Sequence, residues 1–379
     1  MYQKIVYLRQ QSPYIHFQNN FPGATLRASD VKPRLDKFLY EKCAKMEPFW
    51  KLPSNSQEMA NSDLANNELN SSLNYKLQIA VDGHAMELIP KVYPCFFGNT
   101  GTKENEATQK KFSFTTSVKL IFKSYFKDLL DLIVDEYIQD FFVTYNFGTR
   151  SSKGFGGFVV VPTEMAEVIN NDFEARLRSQ FEMVFKFSKV LYNYEDYIGD
   201  HKLMFTKIDE AYKELKGGLQ RSPSKLRKYF NALHPSVEWE KAKTTEILKA
   251  NVDPDVKVDK LHNNIYYIRG LLGLAENYEY DRIRIKSKFA IKHKDKTIER
   301  FPSPILVKIF DNSFYFCLTK KAIDSLDEIA GENFVFTMYK GEKQFPAGNF
   351  TLQVPAASTF DIGKFLQVAL VTEKWKKIK

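Results

Sequence analysis

Between Asn146 and Phe158 the chain reads NFGTRSSKGFGGF, with glycine at 148, 154, 156 and 157. Glycine opens backbone angles closed to other residues, so this run is a tightly shaped connection and not the interior of a helix or strand. Its flanks constrain the topology. Before it, Phe126 to Tyr145 sets Leu129, Leu132, Ile133, Tyr137 and Phe141 at helical spacing; after it, Phe158 to Val161 is a strand. Upstream, residues 4 to 9 (KIVYLR) form a first strand that Tyr14 to Phe17 continues past Pro13, and Phe21-Pro22-Gly23 turns the chain. Ser29 or Asp30 then caps a helix through VKPRLDKFLYEKCAKM, with Pro33 in the first turn and Leu35, Phe38 and Leu39 on one face. Residues 75 to 81 alternate as a strand, Met86 to Ile89 return beside it, and Phe112 to Phe122 is a long β-rich run. The order β, α, β, β, α, β ends near Pro162. It predicts a ferredoxin-like unit, an antiparallel sheet with two helices on one face.

A chain of 379 residues is long for a single core, so two domains are expected, at 1–165 and 166–379. The fold class is α+β, with the second half more helical and elaborated. Met183 to Val190 suits a strand, Pro223 opens a short helix in SKLRKYFNAL, and residues 236 to 262 are helical early and irregular around Pro254. Ile283–Ile291, Ile305–Phe310, Phe314–Leu318 and Phe334–Tyr339 are β-like, Lys320–Ala330 is a helix, and Phe365–Val371 closes the chain as strand or helix. The polar stretches 51–74 and 99–111 read as surface excursions. Pattern alone leaves open whether this half repeats the first.

Lys and Arg number 55 against 46 Asp and Glu, and the formal charge of +9 favours a polyanionic partner. In the glycine loop a phosphate or ribose can approach the main chain, and consecutive amides can form an anion-binding concavity. Arg150 and Lys153 supply charge at its rim, and Phe147 and Phe155 offer faces on which bases could stack. The plain alternative is a connector without a ligand. The run lacks a Walker motif, Val159 breaks a dinucleotide fingerprint, and KGFGGFV differs from RNP1 by an extra glycine. In RIRIKSK, alternation would set Arg282, Arg284, Lys286 and Lys288 on one strand face, as a solvated surface or a nucleic-acid track. Cys43, Cys95 and Cys317 form no CxxC pair, and His84, His201, His234, His262 and His293 no HxxxH, so neither metal nor cofactor is expected. With no signal-peptide pattern and no run of about 20 apolar residues, a cytoplasmic chain without a membrane partner is expected.

The glycine loop and the N-terminal segment together resemble a known family. A basic, glycine-rich GTRSSKGFGGF between the second helix and last strand of a ferredoxin-like domain is similar to the signature of the RAMP superfamily of CRISPR-associated proteins. SPYIHFQNNFPGATLRASDVKPRLDKFL resembles the RAMP opening, in which Leu-Arg-x-Ser/Thr leads into a basic first helix. IRGLLGL (268–274) and ERFPSPILVKIF (299–310) resemble segments of type III RAMP proteins, nearest to the subunit that caps the head of type III-B (Cmr) complexes. The resemblance implies tandem ferredoxin-like (RRM-like) domains in an antiviral-defence assembly. It implies an RNA-binding subunit that holds CRISPR guide RNA, alone or paired with target RNA, beside other effector subunits. Carried onto this sequence, the RNA contacts are Arg27, Lys32 and Arg34 at the first helix, with Gly148, Arg150, Lys153, Gly154, Phe155, Gly156 and Gly157 in the loop.

Relatives that process RNA precursors use a general base near the first helix, commonly His. That helix here holds Lys37, Tyr40 and Lys42 but no His, and His16 in the preceding connection is the nearest candidate. Asp63 is the one candidate for the acidic loop residue of target-cutting relatives. The expectation is a binding subunit and not an enzyme. Its alternatives are a metal-independent RNA-processing endoribonuclease and an RNA-independent scaffold.

Overall fold

The computed structural model describes residues 1–16, 25–43, 46–51, 72–83, 85–88, 94, 111–115, 117–163, 170–187, 201–218, 222–233, 238–250, 265–275, 277–282, 285–293, 296–297, 300–301, 303–340, 343–356, 358–370 and 372–379. The predicted turn at Phe21-Pro22-Gly23, Asp63 and nearly all of 51–74 and 99–111 lie outside them. The chain forms two compact units, one of residues 1–181, 189–205 and 307–315, the other of 182–188, 206–306 and 316–379.

The first unit opens with β1 (Tyr2–Gln10), α1 (Ala28–Lys42), β2 (Lys76–Asp82), β3 (Ala85–Leu88), β4 (Lys111–Phe114) and β5 (Ser117–Ser124). A second helix, α2, starts at Lys127–Asp131, widens to a π-helical turn at Leu132–Tyr137 and ends at Ile138–Thr144, ahead of β6 (Phe158–Val161). The sheet runs β2-β5-β1-β6, and each neighbouring pair is antiparallel. In chain order that path reads second, third, first, fourth, which is the ferredoxin-like arrangement predicted from the sequence. One face is apolar by period-two alternation: Val6 and Leu8 from β1 and Val118, Leu120 and Phe122 from β5 pack on Val31, Leu35, Phe38 and Leu39 of α1 and on Leu129, Ile133 and Phe141 of α2.

Three local expectations are corrected. The predicted run Phe112–Phe122 is two strands in different sheets, and β3 pairs with β4, not with β2. Buried Gln10 makes the break: its amide donates to Ser12 O and Ser113 O, and its Oε1 accepts from Thr115 N and Oγ1 at 3.0 and 2.8 Å. Ser29 and Asp30 do not cap α1, because Arg27 occupies the N-cap and both follow it inside the first turn. There Asp30 still meets the positive end of the helix dipole. Pro33 sits in the second turn, where it forgoes one helical hydrogen bond.

Farther along lie α3 (Asn170–Gln180), β7 (Met183–Phe187), α4 (His201–Lys216), α5 (Lys225–Leu233), β8 (Glu238–Trp239), α6 (Glu240–Ala250) and β9 (Ile265–Tyr266). The strands β10 (Leu274–Ala275), β11 (Asn277–Arg282), β12 (Ile285–His293), β13 (Lys296–Thr297), β14 (Arg300–Phe301), β15 (Ile305–Phe310) and β16 (Ser313–Leu318) follow. The chain closes with α7 (Lys320–Ile329), β17 (Asn333–Lys340), β18 (Lys343–Gln353), α8 (Ile362–Leu370) and β19 (Trp375–Lys377). A second four-stranded sheet has the order β15-β16-β7-β19. Its path again reads second, third, first, fourth in chain order, so the ferredoxin-like arrangement occurs twice. Ser224 begins α5, its Oγ accepting from Arg227 N at 3.2 Å, directly after Pro223. A larger sheet, β11-β12-β17-β18-β9-β8, is the elaboration.

That larger sheet corrects the second basic stretch. Arg282 ends β11, Arg284 lies outside the described residues, and Lys286 and Lys288 belong to β12, so the four do not share one strand. The two strands form an antiparallel pair whose register sets Asp281 opposite Lys286 and Glu279 opposite Lys288.

Candidate nucleic-acid interface

The glycine loop has two halves of different character. Gly148 to Lys153 are half-buried, whereas Gly154 to Gly157 are buried. The buried half is sewn to the segment after β1: Gln11 N donates to Gly157 O (2.8 Å), Gly156 N to Pro13 O (2.9 Å) and Gly157 N to Ser12 Oγ (2.8 Å). Phe147 N donates to Gly156 O at 2.9 Å and closes the base of the loop. Glycine is required where the two ends touch. Gly156 has φ +67, and a Cβ there would stand 1.9 Å from the Phe147 carbonyl oxygen.

Several expectations therefore change. Phe155 is 0% exposed and stacks on Phe205 with centroids 3.9 Å apart and planes 11° apart. Phe147 is equally buried, against Phe141, Phe142 and Phe158. Neither ring presents a face to a base; both are core. The amides of Phe147, Thr149, Lys153, Gly154, Gly156 and Gly157 all donate within the chain, so they do not line an anion concavity. Gly154, Gly156 and Gly157 are buried and shape the loop. What remains at the surface is the arc Gly148 to Lys153, with Arg150 at its crest in a left-handed conformation (φ 58).

The arc is anchored from two sides. On one, Thr149 N and Oγ1 donate to Ile15 O at 2.8 and 3.0 Å, and Gly148 (φ +78) packs so closely on Ile15 O and the Tyr14 ring that a side chain would not fit. On the other, Asn146 Nδ2 donates to Ser151 O (2.8 Å) and to Val307 O (2.9 Å). Behind Asn146 lies Lys308, 2% exposed, whose Nζ donates to Asn146 Oδ1 (2.7 Å), Tyr145 O (3.0 Å) and Phe142 O (3.2 Å). A buried cation thus satisfies the orphan carbonyls where α2 ends, and the helix dipole favours it there. Lys308 is not singled out by the loop and helix patterns. Its signal was a lysine inside the otherwise apolar strand ILVKIF, a residue that is buried only when partnered.

The first helix contributes unevenly. Arg34 Nη1 donates to Asn146 O at 3.0 Å, and its guanidinium lies 5.4 Å from the Phe147 ring centroid, which ties α1 to the loop while the residue stays exposed. Arg27, half-buried at the N-cap, completes the basic edge. Lys32 is committed to internal structure: Nζ donates to Asp36 Oδ2 (2.8 Å), Ser72 Oγ (3.0 Å) and Leu73 O (2.9 Å) and lies 3.9 Å from the Tyr75 ring centroid. Burial lowers its pKa against the opposing pull of Asp36. These bonds pin the strand entering β2.

His16 sits beneath this edge, 1% exposed, with Nε2 3.8 Å from Asp30 Oδ2. Burial lowers its pKa and Arg27 lowers it further, while Asp30 raises it. Tyr14 shares Asp30 through its hydroxyl at 3.3 Å, and burial followed by the Asp30 charge raises its pKa. The imidazole is thus buried, which disfavours direct proton transfer with a ribose hydroxyl. On α2, Lys4 bridges Asp131 and Asp135, and Lys127 bonds Asp131 at 2.8 Å. Among the described residues, no group of three or more His, Cys, Asp or Glu is placed to hold a metal, and no helix is long and apolar enough to cross a membrane.

Two ferredoxin-like sheets, the first carrying a basic glycine-rich loop between its second helix and last strand, define a protein of the RAMP type. Family models place it more closely: the Cmr1 N-terminal domain matches residues 1–219 and the Cmr1 C-terminal domain residues 221–377. The chain belongs to the Cmr1 family, whose members are subunits of Cmr complexes. Among solved structures it is similar to apo Cmr1 from Pyrococcus furiosus, at 9% identity and a TM-score of 0.40 over 100% of this chain and 98% of that one. No curated protein sequence matches.

Proposed function

We propose that this Cmr subunit binds RNA, holding guide RNA or the guide–target duplex along the arc from Gly148 to Lys153 and the adjoining end of α1, and that it does so without cleaving it. Arg150 and Lys153 in the arc and Arg27 and Arg34 on the helix are the contacting cations. The observation that carries the reading is the division of the loop: its base is locked into the core, while its cationic crest stays at the surface. A rigid crest presents charge to phosphates with little ordering entropy lost on binding. The enclosure of His16 supports binding over cleavage.

The test is the salt dependence of RNA affinity for the purified protein and for an Arg150→Ala/Lys153→Ala variant. Wild type should bind with affinity falling steeply as salt rises, and the variant should lose affinity with a log–log slope shallower by about 1.4, at roughly 0.7 per phosphate contact on a single strand. An unchanged slope would remove the arc from the interface. Repeat-containing RNA incubated in EDTA should remain intact; discrete cuts lost in His16→Ala would instead establish a nuclease.

A further inference from the structure

The helices α1 and α2 cover one face of the first sheet, and the other face carries an unusual set of side chains. By parity it presents Gln3, Ile5, Tyr7 and Arg9 from β1, Ser117, Lys119, Ile121 and Lys123 from β5, and Lys76, Gln78, Ala80 and Asp82 from β2, while Val159 and Val161 of β6, beside Arg9 and Tyr7, are buried and close that edge of the face. Register arranges them in rows: Lys76, Lys123 and Gln3; then Gln78, Ile121 and Ile5; then Ala80, Lys119 and Tyr7. Arg9 lies one row beyond. Lys76 and Lys123 are direct cross-strand partners, a like-charge pair that costs stability. Among the described residues no carboxylate pairs with Lys76, Lys119, Lys123 or Arg9. Lys119 Nζ lies 5.7 Å from the Tyr7 ring centroid, and Ile5 is 40% exposed at the centre.

We infer that this face is a second nucleic-acid track, for single-stranded RNA. The inference rests on RNA being the partner, but it uses none of the residues of the glycine loop. Four cations against one carboxylate complement a polyanion. Rows two residues apart repeat at about 6.8 Å, close to the reach of one nucleotide. The central Ile5, Ile121 and Tyr7 offer apolar and aromatic surface that suits base faces, which a duplex hides within its stack. A solvated surface would not require two facing lysines without an acid to offset them.

The experiment compares four proteins by fluorescence anisotropy with a 12-nucleotide oligouridylate across salt concentrations. They are wild type, the loop variant Arg150→Ala/Lys153→Ala, the sheet variant Lys76→Ala/Lys119→Ala/Lys123→Ala, and the combination, with circular dichroism melting to confirm folding. The sheet variant should bind at least 10-fold more weakly, with a slope shallower by about 2, and it should lower affinity further in the loop-variant background. It should compete poorly for the single strand while duplex binding is little changed. If the sheet variant binds like wild type while the loop variant is impaired, the track is refuted and the proposed function stands. If the sheet variant alone is impaired, the track stands and the loop reading falls; if wild type binds no RNA, both fall. Loss of partner subunits from the sheet variant with RNA affinity intact would make the face a protein interface and overturn the inference.

Discussion

Replacing Lys308 by methionine keeps the length of the side chain and most of its volume but removes the three hydrogen bonds its ammonium donates where α2 ends. Three acceptors then lose their partner: Phe142 O, Tyr145 O and Asn146 Oδ1, at 3.2, 3.0 and 2.7 Å. Hydrogen bonds from a charged group contribute about 1.5 to 3 kcal/mol each, but a buried ammonium also costs several kcal/mol of desolvation that methionine avoids. The net loss should be about 3 kcal/mol, concentrated where Asn146 and the loop base depend on Lys308. Hydrogen exchange reads this locally. The amides of Phe147, Thr149, Gly156 and Gly157 donate within the loop base, and their exchange should accelerate on the order of 100-fold at 1.4 kcal/mol per decade. Amides in the centre of β1 should change far less. Asn146→Ala should cause an overlapping loss, so the double variant should fall short of the sum of the singles. Acceleration under threefold at the loop base in Lys308→Met would refute the reasoning that this lysine holds the loop.

Phe155→Ala should destabilise the first unit by about 3 to 5 kcal/mol, read by urea denaturation, since it empties a fully buried site stacked on Phe205. The salt slope of RNA binding by the folded fraction should not change, because the ring is core and not a base platform. Gly156→Ala should cost at least about 2 kcal/mol, because its Cβ would meet the Phe147 carbonyl at 1.9 Å in a left-handed backbone; a thermal midpoint within a degree of wild type would contradict that geometry. Burial pushes the His201 imidazole from 6.5 down to about 4, so the unfolded chain binds more protons between those values. Stability from this group is complete above pH 6.5 and declines by about 3 kcal/mol as pH falls to 4. A His201→Phe variant should show a flatter acid limb in denaturation midpoints, while the His16 contribution of the same sign remains.

Much of the fold was legible because period-two and helical alternation are strong where one face is buried. Strand β5, SVKLIFKS, buries every second residue, and α1 buries Val31, Leu35, Phe38 and Leu39 along one stripe. The repeat of the fold in the second half was not legible. Of its four strands only β15 and β16 are neighbours in sequence; long insertions set β7 and β19 apart from them, and the pairing of β7 with β19, almost 190 residues apart, completes the order. RIRIKSK reads as one strand because the residues of β11 and β12 within it keep the same alternation, although the two strands pair with each other. In the loop, composition singled out the segment but did not separate its buried residues from its surface ones. Glycine next to phenylalanine suits a stacking platform and a packed chain crossing equally well, and only burial separates them. Lys32 and Arg34 look alike on a helix wheel, yet Lys32 is spent on Asp36 and Leu73, contacts 4 and 41 residues away.

Cross-linking of the assembled Cmr complex, carrying guide RNA substituted with 4-thiouridine, tests the central claim most directly, with the cross-linked peptides read by mass spectrometry. The peptide spanning Arg150 to Lys153 should carry nucleotide adducts, and Phe155 should carry none. Adducts confined to other surfaces of the subunit, with the arc unmarked, would contradict the account.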